Sequence, residues 1–134
     1  MYDIKAKYTI LFIFDPDCGH CRAETPKLVD FYNKDHTKLN FEVYAVSADT
    51  SMLKMKNFMK EFKTPWITVN GPRSYLPKHY SELYHSDTTP SLYILDNKRK
   101  IIAKKLPVKQ LEDFFMKHEK FMQAKKEVNK GTWD

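Results

Sequence analysis

Seven consecutive residues, Tyr8 to Phe14 (YTILFIF), carry no charge and show no alternation of polar and apolar positions. A strand wetted on one face alternates, so this run suits a strand buried on both faces of a parallel sheet. Parallel neighbours need a crossover connection, and the following residues supply one. Asp15-Pro16 ends the strand. From Cys18 to about Lys34 the apolar residues Cys21, Leu28, Phe31 and Tyr32 recur at helical spacing, with Asp17 as the expected N-cap and Pro26 as an expected kink. Phe41 to Val46 (FEVYAV) reads as a second strand, which completes a right-handed strand-helix-strand unit.

Ser51 to Phe62 places Met52, Met55, Phe58, Met59 and Phe62 on one helical stripe, which reads as core rather than as a cofactor-binding face. Thr64 to Tyr80, with Pro65, Pro72, Pro77 and Gly71, reads as a loop holding one short strand around Trp66 to Val69. Tyr80 to Tyr84 is an expected short helix. Ser91 to Leu95 and Lys100 to Lys104 flank Asp96-Asn97-Lys98-Arg99 and so form a β-hairpin. Pro107 to about Gln123 closes the chain as a helix turning Leu111, Phe114, Phe115, Phe121 and Met122 toward the sheet. The sum is one α/β domain over residues 1–124, with 125–134 as a solvated tail.

Composition removes several functions. The chain has only three glycines, at 19, 71 and 131, too far apart for a P-loop or a dinucleotide fingerprint. Lys+Arg 23 against Asp+Glu 17 leaves a net charge of +6, but the lysines are dispersed among acids and form no arm or patch, so no nucleic-acid partner is expected. The longest apolar run, Ile10 to Phe14, is far too short to span a membrane. No stretch reads as a secretory signal, so a cytoplasmic protein and an excised fragment are both open.

The two cysteines stand together in Cys18-Gly19-His20-Cys21, at the strand-to-helix junction. The first thiol of such a pair sits among the unpaired amides and the positive dipole end of the helix, both of which favour thiolate. A protonated His20 would add to that field. Cys18 is therefore the expected exposed nucleophile, and Cys21, one turn further in, is the buried thiol that attacks a mixed disulfide formed at Cys18. A structural disulfide would close too short a loop to pin distant elements. A zinc site through Cys18, His20 and Cys21 lacks a fourth ligand, so no metal and no organic cofactor are expected. Gly19 leaves the Cys18 sulfur open to a protein substrate.

With FIFDPDCGHCRAETP from Phe12 to Pro26 and TTPSLYILDNKRKII from Thr88 to Ile102, the chain resembles thioredoxin-fold thiol:disulfide oxidoreductases, in particular their TlpA/ResA-like branch. That resemblance covers almost the whole chain. It implies a thioredoxin-like three-layer sandwich, a central mixed sheet with helices on both faces. Cys18 becomes the attacking and Cys21 the resolving cysteine, Pro26 the kink proline, and Thr89-Pro90 a cis-proline step facing the dithiol and pairing with substrate peptide. Glu24 matches an acid beneath the site that would take the Cys21 proton, against the plainer reading of a surface pair with Lys27.

The family's tryptophan before the first cysteine is replaced here by Asp17, whose charge opposes thiolate formation. Asp15 is a second acid near the thiols. Gly19-His20 resembles the dipeptide of disulfide isomerases, whereas the branch implies a reductase. The expected partners are a protein or peptide disulfide and a redox partner thiol protein, met by a monomer. The resemblance implies a bacterial cell envelope or periplasm, and the reduced N-terminal hairpin, Tyr2 to Lys7, implies a domain cut from a longer envelope protein. A binding module with incidental cysteines is the rival reading. A peroxidase of the peroxiredoxin type needs Pro-x-x-x-Thr-x-x-Cys, which does not precede Cys18. His36, His79, His85 and His118 read as surface or loop residues, and Trp66 as a core residue.

Overall fold

The computed structural model describes residues 5–71 and 91–133. β1 (Tyr8–Phe14) is buried at every position, as its unbroken apolar pattern requires. It pairs in parallel with β2 (Phe41–Ser47), which pairs in parallel with β3 (Ile67–Asn70). On its other side β1 runs antiparallel to β4 (Ser91–Leu95), which forms the expected hairpin with β5 (Ile101–Lys104). The result is one mixed sheet of order β3-β2-β1-β4-β5.

α1 (Gly19–Leu39) links β1 to β2, and α2 (Met52–Phe62) links β2 to β3. A short 3-10 turn (Val108–Gln110) leads into α3 (Leu111–Trp133). Two expected boundaries move. α1 runs on to Leu39 and ends on Asn40, whose left-handed φ of 56° suits an asparagine cap. α3 is helical through Trp133, so its backbone continues across the segment read as a tail.

The period-two alternation of the strands divides the core. Tyr8, Ile10, Phe12, Phe14, Phe41, Val43, Leu92 and Ile94 form one face, against which pack Leu28 and Tyr32 of α1, Met55 and Phe58 of α2, and Leu111 and Phe115 of α3. Leu11, Ile13, Tyr44, Val46, Tyr93 and Leu95 form the opposite buried face. Met52, Met59 and Phe62 border the first cluster, so the methionine stripe is core. Phe121, expected to face the sheet, is instead 63% exposed: six residues past Phe115 it lies about 120° around the helix from it, whereas Met122 beside it stays half-buried. Asp17 is not the α1 cap either. Cys18 holds that position, with extended backbone at φ −81° and ψ 125°.

His36 and His118 are half-buried rather than surface residues, stacked respectively on Tyr32 at 4.1 Å and Phe114 at 5.7 Å between ring centroids. The Tyr80–Tyr84 helix, His79 and His85 lie outside the described residues.

One polar knot ties the start of β1 to α3. Glu119 accepts the Tyr8 hydroxyl at 2.6 Å and pairs with Lys7 at 2.7 Å. These bonds hold the Glu119 carboxyl below the usual range, whereas burial first and Glu119 second push the Tyr8 hydroxyl above its own. Burial and the bond to Glu42 do the same to Tyr32. A depressed carboxyl stabilises the fold above its unfolded pKa and loses that contribution as pH falls; a raised phenol loses its contribution as pH rises past about 10. Stability should therefore plateau between about pH 5 and pH 10 and decline on both sides. Glu119 is well exposed, so the acid limb is shallow, under about 1 kcal/mol. Tyr8→Phe should cost about 1 kcal/mol at pH 7 and flatten both limbs, read by denaturant unfolding at pH 4, 7 and 10.5.

Candidate active site

The end of β1 and the start of α1 position the dithiol through the backbone of Asp15. Its carbonyl accepts the Cys18 N–H at 3.0 Å, and its own N–H donates to Cys21 Sγ at 3.4 Å. A hydrogen bond to sulfur favours the thiolate form. Cys21 is fully buried, as expected, whereas Cys18, expected to be exposed, is half-buried. Thr25, one turn on, donates its hydroxyl to the Cys21 carbonyl at 2.6 Å, just before Pro26 interrupts the ladder of helical amides.

A Cβ placed on Gly19 would meet no atom within 4 Å, and the residue does not adopt a positive φ. The space over this step is open, and no backbone strain calls for glycine here. His20 is exposed and lines a cavity of about 210 Å³ together with Glu24, Leu92, Lys105, Leu106, Pro107 and Val108. Glu24 is half-buried. Its side chain is only 26% exposed and borders this cavity, yet it also pairs with Lys27 at 3.5 Å. Lys105 enters the cavity wall from the turn after β5, in a left-handed conformation with φ 54°. Thr89 and Pro90 lie outside the described residues; Ser91 and Leu92, which follow them, begin β4.

On the other flank, Pro16, Asp17, Arg22, Lys54, Asn57, Phe58 and Glu61 surround a second cavity of about 210 Å³. Two ion pairs tie α1 and its leading loop to α2 here, Arg22 with Glu61 and Asp17 with Lys54, the latter at 2.7 Å. Arg22 also lies over the Phe62 ring, 5.1 Å from its centroid. Lys54 and Lys105 escaped the sequence reading. No spacing relates either to the cysteines, and solitary lysines in a lysine-rich chain carry no signal.

A larger cavity, about 560 Å³, is lined in part by Tyr32, His36, Phe41, Glu42 and Trp66. It lies at the leading ends of β2 and β3, the opposite edge of the sheet from Cys18. Trp66 is buried against Phe12 and Tyr32 and thus belongs to the core, away from the thiols.

The fold recurs in known proteins. The sequence pattern of the AhpC/TSA family matches residues 1–104. The chain belongs to the AhpC/TSA family. Within its thioredoxin fold, the chain is similar to a domain of a possible thiol-disulfide isomerase from Cytophaga hutchinsonii, with 36% identity and a TM-score of 0.81 over 92% of this chain and 83% of that one. It is also similar to the thioredoxin domain of a thiol-disulfide oxidoreductase from Bacteroides vulgatus, with 29% identity and a TM-score of 0.67 over 90% and 83% of the two chains.

Among curated relatives, human nucleoredoxin is 32% identical over 97 residues, which are 72% of this chain and 22% of that protein. A probable nucleoredoxin 1 of Arabidopsis thaliana is 31% identical over 85 residues, which are 63% and 14% respectively. The chain thus spans less than a quarter of the length of these curated relatives. The TlpA/ResA-like resemblance read from the sequence is borne out.

Proposed function

We propose that the protein exchanges its Cys18/Cys21 dithiol with disulfides of proteins or peptides, working as a reductase. The observation that carries this reading is the asymmetry of the pair, with Cys18 half-buried at the opening of α1 and Cys21 fully buried one turn behind it. The Cys18 thiolate attacks one sulfur of the substrate disulfide, forming a Cys18–substrate disulfide and releasing the other substrate sulfur as a thiolate that takes up a proton. Cys21 then loses its proton and attacks Cys18. The Cys18–Cys21 disulfide forms, the second substrate thiol leaves, and the substrate has gained two electrons. A partner thiol protein restores the dithiol.

Glu24 is the proposed acceptor of the Cys21 proton, supported by its place one turn along α1 and its half-buried side chain. Open space at Gly19 and the groove between His20, Leu92 and Lys105 would admit an extended peptide, and the Thr89-Pro90 step is proposed as its pairing edge by resemblance alone. An envelope setting and a monomeric state rest on the same resemblance. Isomerase or oxidase work is the second reading, favoured by Gly19-His20 and by the likeness to a possible thiol-disulfide isomerase.

Titration against glutathione or dithiothreitol buffers tests the proposal and separates the two directions. A single two-electron transition is expected. A midpoint below about −250 mV supports reduction, and one above about −200 mV supports isomerisation or oxidation. The absence of any reversible transition would refute redox exchange at this pair.

A further inference from the structure

The end of the sheet that carries the dithiol is crowded with negative charge. One carboxylate oxygen from each of Asp15, Asp17 and Asp49 lies within 4.8 Å of the others. Asp15 and Asp49 each spend an oxygen on a local turn, accepting the Asp17 N–H at 2.9 Å and the Ser51 N–H at 2.7 Å. Asp17 directly precedes Cys18, and Asp15 holds both cysteines through its backbone. Negative charge next to a thiol in the chain opposes its ionisation, and Asp17 is the residue before Cys18.

A cation is paired into the cluster, and its position in α2 is unusual. Ser51 caps α2 by accepting the Lys54 N–H at 3.2 Å, so Lys54 occupies the third helical position. That position favours glutamate, which would complete a capping box and complement the positive helix end. A lysine there works against its own helix. Its ammonium reaches Asp17 Oδ2 at 2.7 Å, and Asp17, Asp49 and Asp15 together hold it above the ordinary lysine range. Residues that break a local rule without local benefit concentrate at functional sites.

We infer that Lys54 is a positioning residue for the thiol chemistry, whose ammonium offsets the Asp15, Asp17 and Asp49 carboxylates and so preserves the thiolate of Cys18. This rests on the proposed role of Cys18 as attacking thiol. The other charged groups around the site are His20 on the first turn of α1, the Arg22–Glu61 pair on the α2 side, and Glu24, Lys27 and Lys105 on the opposite flank. The two pairs are internally neutral. Lys105 and His20 lie outside the acidic cluster, so neither replaces Lys54 within it.

The test is the rate of iodoacetamide alkylation of the reduced protein between pH 5 and pH 10, with Cys18 modification read by mass spectrometry. Lys54→Gln should raise the apparent pKa of Cys18 by about half a unit to one unit, because both partners are half-exposed and partly screened. Alkylation at neutral pH should slow about threefold to tenfold. Lys54→Arg should restore the wild-type profile. Asp17→Asn should shift it the opposite way, and the double variant Asp17→Asn/Lys54→Gln should return close to wild type. The shift should shrink in about 1 M salt, where screening reaches about 3 Å.

A merely structural lysine would alter unfolding without moving this pH profile, whereas relief of the α2 dipole leaves Lys54→Gln at least as stable as wild type. Superimposable profiles for Lys54→Gln and wild type, or an arginine variant that behaves like the glutamine one, would overturn the inference. Failure of the functional reading looks different. The wild type would then form no mixed disulfide with a disulfide peptide, whatever Lys54 does to alkylation.

Discussion

Cys18→Ser is expected to lower turnover of a disulfide-bonded peptide by about 10³-fold or more, and Cys21→Ser to stop the reaction half-way. The difference follows from burial. An attacking sulfur must be reached by a protein disulfide, and Cys18 is the half-buried member of the pair, whereas Cys21 is enclosed by the core. Without Cys18 no mixed disulfide can form. Without Cys21 the first bond still forms but cannot be resolved from within, so the Cys21→Ser protein should accumulate with one substrate peptide attached and release it on adding dithiothreitol. Mass spectrometry of the quenched mixtures reads both outcomes. Equal trapping by the two single variants would show that the thiols are interchangeable, and the proposed order of attack would fail. Partner recovery in a pull-down that survives Cys18→Ser would favour a binding module instead.

Phe115→Ala should cost about 3–5 kcal/mol of folding stability, a large share of the roughly 5–15 kcal/mol that a domain has. Phe115 is fully buried, with its ring 5.1 Å from Tyr8, 5.4 Å from Phe41 and 6.3 Å from Phe31. It joins α3, β1, β2 and α1 in one aromatic cluster, and alanine would leave a ring-sized void that none of four elements can fill without moving the others. Urea denaturation should show the midpoint falling with little change in slope. Phe121→Ala on the same helix is the contrast. With its side chain largely in solvent, it should change stability by no more than about 0.5 kcal/mol.

These two phenylalanines also show where sequence reasoning stops. The reading placed both on the inward stripe of the closing helix, although at about 100° per residue Phe121 lies about 120° around the helix from Phe115. β1 was legible because burial on both faces leaves an unmistakable run, and the hairpin because Asp96 and its neighbours mark a turn. The dithiol was legible for a chemical reason: two cysteines one turn apart after a strand restrict the uses of both. Asp17 was misplaced by one residue, since aspartate is a good cap, yet here its carboxylate is held by Lys54 across to α2. That contact joins residues far apart in the chain, and single-sequence patterns record only local spacing. The cavity wall at Lys105 was hidden for the same reason.

The outermost strands of the sheet, β3 and β5, are only four residues long. Strand edges are where one molecule templates another, and a short ladder offers little gain for the entropy lost on docking. β5 adds a lysine at its last position and another directly after it, which would meet like charge in a parallel, in-register copy. Two aliphatic side chains, Ile67 and Ile101, nonetheless stand partly in solvent on these edges. Brevity and charge, rather than polarity of every side chain, are thus what guard this sheet against growing into fibrils when the protein is concentrated.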